Sequence, residues 1–209
     1  MDNSLDIRRL EVETPLGVVH LAGFSLMQPA DGSGSHRINH REVIFRILSE
    51  VSGVSVSAED LCEVGENRRP EFPKLNFDAN WTHSGGYCIL AYGAPGVRVG
   101  VDLERYSQRH LRLSDRFYSE DEAAYLRTLA STDEQRQLGE FFRLWCRKEA
   151  LFKCVGGRFF EGAVGRSVLS SPVMAGPENH LREVHLVDLD GKKGAGFPAA
   201  LCIAVSIED

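Results

Sequence analysis

Apolar and polar positions change period several times along this 209-residue chain, and each change marks an element. Residues 10–24 alternate and read as one or two short strands, followed by a breaker-rich loop at 29–35. The period then lengthens: Val43, Ile44, Ile47, Leu48 and Val51 recur at helical spacing, and Gly53 is placed to stop that helix. Residues 65–80 read as a loop in which Pro70 and Pro73 force extended backbone. Alternation returns in 87–93 and 97–104, and Ala94, Pro95 and Gly96 between them predict a hairpin-like pair. Ser119 and Glu122 form a capping box for the next helix. Another helix runs from about Glu134 to the stop at Gly156 and Gly157, and 158–209 reads as strand-rich.

The residues from Arg41 to Leu48 match those from Lys148 to Val155 in charge and apolarity, Glu42 standing against Glu149 at an offset of 149 − 42 = 107. Amphipathic helices share such patterns for burial reasons alone. Each segment is nevertheless tied to strand pairs in its own half. The expected fold is therefore α+β, a pseudo-dimer of two similar lobes, each a small mainly antiparallel sheet packed on a long helix. The expected lobes are 1–105 and 106–209.

Candidate chemistry lies in three segments. In the strand ending the first half, Gly100, Asp102 and Glu104 share one face, with Val99, Val101 and Leu103 on the other. The two carboxylates stand on the order of 7 Å apart, which suits either a solvated strand face or convergence on one hard cation. Gly100 beside them hints at close approach by another segment. Glu149 and Lys153 share a helix face as i and i+4, with Trp145 four residues earlier as an anchor, and read as a surface ion pair or as site groups. The turn-like run from Asn80 to Gly86 places His83 among hydroxyls and glycines, where it is either polar surface or a phosphate contact.

Composition narrows the partners. The formal charge of −6 argues against a general nucleic-acid binder. The N-terminal residues lack the apolar core of a signal peptide and no run approaches the ~18 apolar residues of a membrane span, so the expectation is a cytoplasmic protein with no membrane contact. Five cysteines without a CxxC pair read as small buried apolar groups.

Together, the run Asn80 to Ser84, the set Gly100, Asp102 and Glu104, and the set Trp145, Lys148, Glu149, Ala150 and Lys153 resemble, in this order, the motifs of the two-lobed phosphopantetheinyl transferases of the surfactin-synthetase-activator type. The run from Arg116 to Glu122 looks like that family's helix start. The resemblance covers roughly residues 36–160, and it agrees with the internal repeat because the family is a pseudo-dimer. It implies an enzyme that moves 4'-phosphopantetheine from coenzyme A to a serine of an acyl or peptidyl carrier protein and releases adenosine 3',5'-bisphosphate. It further implies Mg²⁺ held by Asp102, Glu104 and Glu149, with Glu149 the proton acceptor directly or through water, Lys153 the stabiliser of the leaving phosphate, and Asp102 part of the catalytic set. A carboxylate does not easily act both as tight metal ligand and as base, and the resemblance leaves open which role of Glu149 dominates. Coenzyme A contacts are implied for Arg37, Arg69, Thr82, His83, Lys148 and Lys153.

Two departures from the family pattern stand out. The basic stretch usual before Arg37 is replaced by the short loop at 29–35, which leaves His36, His40 and Arg41 to supply cations. Arg158 stands where the family has a second glycine after Lys153. The cations Arg105, Arg109, Arg112 and Arg116 against Asp115 give 4 − 1 = +3, a docking segment for an acidic carrier on an enzyme expected to be a monomer. The rival reading is a non-catalytic relative that binds coenzyme A or a carrier. An unrelated Mg²⁺-dependent phosphoryl-transfer enzyme is disfavoured by the lack of a GxxxxGK[ST] loop.

Overall fold

The computed structural model describes residues 5–30, 34–65, 68–105, 117–156, 165–175, 182–189 and 199–207. Strands β1 (Ile7–Thr14) and β2 (Gly17–Ser25) form a hairpin in register Thr14 to Gly17. Gly17 has φ +117°, a conformation that a side chain would resist. A ribbon of β3 (Met27–Ala30) and β4 (Gly34–Arg37) leads to helix α1 (His40–Ser52). Asn39 caps α1 by accepting from the Arg41 N–H, and Gly53, at φ +73°, ends it as its position in the pattern predicts.

Residues 65–80 are more structured than their composition suggests, because a second ribbon joins β5 (Cys62–Val64) to β6 (Arg69–Glu71). β7 (Ala79–Ser84) then contains the residues expected as a turn. The turn itself is Gly85 and Gly86, both at positive φ, between β7 and β8 (Tyr87–Tyr92). β9 (Val97–Arg105) is followed by α2 (Glu120–Ala130), which carries the expected capping box, and α3 (Glu134–Val155). β10 (Val173–Ala175), β11 (Arg182–Asp188) and β12 (Ala199–Ile207) complete the order.

The main sheets run β1-β2-β8-β7 and β10-β11-β12-β9, and every pairing in them is antiparallel. The hairpin expected between 87–93 and 97–104 does not form. β9 pairs along its whole length with β12, from Val97 with Ile207 to Arg105 with Ala199, so β8 and β9 lie in different sheets. A longer ladder with β12 outcompetes the local turn. The change of sheet thus falls between Tyr92 and Val97.

Strand alternation sorts the core into three groups. Ala22, Phe24, Cys88 and Leu90 of the first sheet pack with Val43, Ile44, Ile47 and Leu48 of α1. Cys202 and Ala204 of the second sheet pack with Phe142, Cys146, Ala150 and Cys154 of α3. The opposite strand faces meet in the middle, where Leu21, Ile89 and Ala91 join Val99, Val101, Leu103, Ile203 and Val205.

β7 and β9 are the terminal strands of their sheets, and they run side by side without a backbone ladder. Alternate side chains of the β7 segment replace it. Asp78 Oδ2 accepts from the Val99 N–H at 2.7 Å, Asn80 Oδ1 from Val101 at 3.4 Å and Ser84 Oγ from Arg105 at 3.2 Å. A separation of 21 residues in all three bonds means that the strands point the same way. Backbone N–H groups at a sheet edge thereby find acceptors.

Candidate functional site

The site forms where this seam meets α3. A Cβ on Gly100 would lie 2.2 Å from the Ala150 carbonyl oxygen and 2.5 Å from the Cys154 nitrogen, so only glycine lets α3 rest on β9 here. The expected close approach is therefore made by the helix that carries Glu149 and Lys153. Asp102, two residues on, is buried on the same side. Its Oδ1 accepts from Lys153 Nζ at 2.7 Å and from Thr82 Oγ1 at 3.1 Å, while Oδ2 is enclosed and accepts no hydrogen bond among the described residues. Lys153 Nζ also donates to the Val101 carbonyl at 3.2 Å. Glu104 Oε2 accepts from Ser84 Oγ at 3.0 Å.

Glu149 feels both strand carboxylates. Burial pushes its carboxyl up to about 7, Asp102 and Glu104 add to the rise, and Lys153 opposes it. Cys146, one turn earlier on α3, is fully buried, and burial followed by the Asp102 charge holds its thiol well above the usual range. It stays neutral and keeps its proton for a hydrogen bond to the Asp102 carboxylate.

Two expected phosphate contacts lie elsewhere. The Arg69 side chain is 3% exposed and every guanidinium nitrogen faces protein. Its Nε donates to the Lys153 carbonyl at 3.0 Å, Nη1 to the Pro70 carbonyl at 3.3 Å with Glu71 at 3.7 Å, and Nη2 to Asp78 and to the Val99 carbonyl. Arg98 Nε takes the next helix carbonyl, that of Cys154, at 3.1 Å. Two arginines thus cap the last turn of α3 and oppose its dipole. Lys148 is wholly buried: Nζ pairs with Glu122 at 2.8 Å and donates to the Arg166 carbonyl at 2.6 Å. Glu122 in turn accepts from the Ser119 and Val168 N–H groups, and burial pulls the Lys148 ammonium down against the pull of Glu122. The resemblance implies both as coenzyme A contacts because a basic residue in a motif reads as a ligand contact when its burial is not known.

A separate positive group gathers at the start of α1. His83, exposed on β7, lies 5.0 Å from His40 ring to ring. Burial lowers the His40 pKa, and the charges of His83, Arg41 and Arg37 lower it further. These four side chains, at a helix N-terminus, form an anion-attracting surface. Arg105 is exposed, while Arg109, Arg112, Arg116 and Arg158 lie outside the described residues. Reading along the chain missed Asp78, Asn80 and Ser84 as a unit. The signal was their alternation with Thr82, polar at every second position of a segment with strand on one side only.

Among the described residues, no three His, Cys, Asp or Glu side chains stand close enough to enclose a cation unaided. The donor set nevertheless suits a hard cation shared with a substrate, since the partnerless Asp102 Oδ2 sits among mutually repelling carboxylates, and Mg²⁺ completes its shell with phosphate oxygens and water. No helix among the described residues is long and apolar enough to cross a membrane.

Residues 98–201 match the family model of the 4'-phosphopantetheinyl transferase superfamily. The chain is 33% identical over 117 residues to the 4'-phosphopantetheinyl transferase psf-1 of Bacillus pumilus, a match covering 55% of this chain and 48% of that protein. It is 31% identical over 94 residues to the transferase Sfp of Bacillus subtilis, covering 45% and 39%. It is 31% identical over 86 residues to the transferase gsp of Aneurinibacillus migulanus, covering 40% and 34%. The matched stretch thus spans about half or less of these relatives' own lengths.

Proposed function

We propose that this chain, whose residues 98–201 belong to the 4'-phosphopantetheinyl transferase superfamily, transfers 4'-phosphopantetheine from coenzyme A to a serine of an acyl or peptidyl carrier protein. The observation that carries this reading is the convergence of Asp102 and Lys153, bonded at 2.7 Å, with a Glu149 carboxyl raised to about 7. A carboxylate poised near neutrality is suited to take a proton from a hydroxyl nucleophile.

In the proposed reaction the carrier serine oxygen attacks the β-phosphorus of coenzyme A and its proton passes to Glu149. The bond from that phosphorus to the bridging oxygen breaks, and adenosine 3',5'-bisphosphate leaves with the electron pair. Asp102, Glu104 and Glu149 would hold Mg²⁺, which neutralises pyrophosphate charge when bound. Lys153, whose ammonium already stands at the site, stabilises charge on the leaving phosphate. Arg37 and Arg41, with the His40 and His83 rings beside them, hold the phosphates of coenzyme A, so of the groups expected to compensate for the short 29–35 loop Arg41 supplies the charge from α1. Thr82 serves the site through Asp102, whereas Arg69 and Lys148 serve by holding structure rather than by touching coenzyme A.

We further read the two sheets with their helices as the two lobes of a monomeric pseudo-dimer, divided near residues 93–96. A cytoplasmic location agrees with five cysteines that form no disulfide, Cys62 being exposed and the other four buried as expected. Arg105 and the segment after it dock the carrier.

The test is to incubate the chain with coenzyme A, Mg²⁺ and a panel of apo carrier proteins and to look for the mass gain of the arm. A modified carrier is expected with the wild type and none with Asp102→Ala. Coenzyme A binding without modification of any carrier overturns the reading in favour of a binding-only relative.

A further inference from the structure

We infer that the hydroxyls of Thr82 and Ser84 are positioning groups that aim the Asp102 and Glu104 carboxylates at a divalent cation, an inference that rests on the reading just proposed. Each hydroxyl donates to one carboxylate: Thr82 Oγ1 to Asp102 Oδ1 at 3.1 Å and Ser84 Oγ to Glu104 Oε2 at 3.0 Å. Asp102 is the more telling of the two. Lys153 Nζ approaches the same Oδ1 at 2.7 Å and the Cys146 thiol adds a hydrogen bond to the carboxylate, while Oδ2 stays buried with no hydrogen-bond partner among the described residues. A buried carboxylate oxygen left unpartnered is costly unless positive charge meets it. Turning the carboxylate over would only exchange the two oxygens, and any smaller rotation would break one of the existing bonds. The hydroxyl and the ammonium therefore decide where the free lone pairs point.

Ser84 shows the same directionality by different means. Its oxygen accepts the Arg105 N–H at 3.2 Å, and its single proton then goes to Glu104. The β7 side chains thus divide their work. Asp78 and Asn80 fix the backbone of β9, and Thr82 and Ser84 fix the acids that β9 carries. Groups that orient metal ligands in this way typically matter by about 10–100-fold in cation affinity.

The experiment titrates Mn²⁺ by electron paramagnetic resonance into the full chain with coenzyme A present, subtracting the signal of coenzyme A alone. Thr82→Val keeps the shape and removes the donor, Thr82→Ser keeps the donor, and Ser84→Ala is a second, independent removal. Thr82→Val is expected to weaken Mn²⁺ binding about tenfold, Ser84→Ala to weaken it in the same direction, and Thr82→Ser to restore it to within about twofold. Turnover of Thr82→Val should recover at saturating cation, with the loss confined to its cation dependence. Wild-type affinity in both Thr82→Val and Ser84→Ala, or a Thr82→Ser variant as weak as Thr82→Val, overturns the inference. A wild type that binds no Mn²⁺ beyond the coenzyme A control overturns it as well. If the Mn²⁺ series behaves as expected and no carrier is modified, the positioning role stands and the transferase reading falls.

Discussion

The segments 41–48 and 148–155 carry the same order of charged and apolar residues, yet the protein keeps the charges of the first in water and encloses those of the second. Arg41 is half exposed and Arg46 is exposed, whereas their counterparts Lys148 and Lys153 are 0% and 25% exposed. Glu42 bonds to Asn39 at the surface, whereas Glu149 lies among two other carboxylates and a lysine. The apolar stripes do the same job in both helices, each facing its own sheet. What differs is the cover over the charged face. On α3 the Gly100 contact, the β7 seam and the segment around Val168 close over it. An amphipathic pattern determines which face of a helix is buried first, and the rest of the fold determines whether the other face stays wet.

Exchanging counterpart residues should give the largest contrast. Lys153→Met is expected to lower turnover by about 10²–10³-fold, as loss of a charge stabiliser does, while Arg46→Met changes it by less than about twofold. Equal losses in a carrier-modification assay would erase the functional distinction between the helices. The buried Glu122–Lys148 pair should dominate stability. Glu122→Ala strands a charge inside the protein and is expected to cost about 3–5 kcal/mol in urea unfolding, and adding Lys148→Met should recover part of that loss. Gly100→Ala comes next, at about 1–3 kcal/mol or more, because its Cβ meets α3 backbone, which has no rotamer with which to escape. A melting curve like that of the wild type would mean that the helix can lift from β9 without penalty.

The last contrast is a pH slope. The Glu149 carboxyl has an ordinary value of 4.5 and rises to about 7 in the fold. Between these values the folded protein keeps a proton that the unfolded chain has released, so stability falls as pH climbs through the window and levels off above it. Metal-free unfolding across that range should show this decline, and Glu149→Gln should flatten it. An identical stability slope in wild type and variant would remove Glu149 as its source.

The helices, their caps and the shared faces of Gly100, Asp102 and Glu104 were legible in the sequence because each depends on neighbours within a turn or along one strand. Ser119 with Glu122, Gly53 and Gly156 behave as local chemistry requires. The partner of β9 was not legible. Ala94, Pro95 and Gly96 form a good turn, and nothing nearby reveals that a strand about a hundred residues away offers nine paired positions. Arg69 and Lys148 show the same limit for side chains, since their roles depend on carbonyls and carboxylates that only tertiary packing brings within reach.

The seam between β7 and β9 also bears on how the protein behaves in a crowded solution. Each is the last strand of its sheet, and a bare strand edge is a template on which other chains can add and grow into aggregates. Asp78, Asn80 and Ser84 occupy the Val99, Val101 and Arg105 N–H groups of the β9 edge without extending the sheet. The contact that assembles the site therefore shields an edge that would otherwise be sticky, and substitutions that loosen it should show up as poor solubility as well as lost turnover.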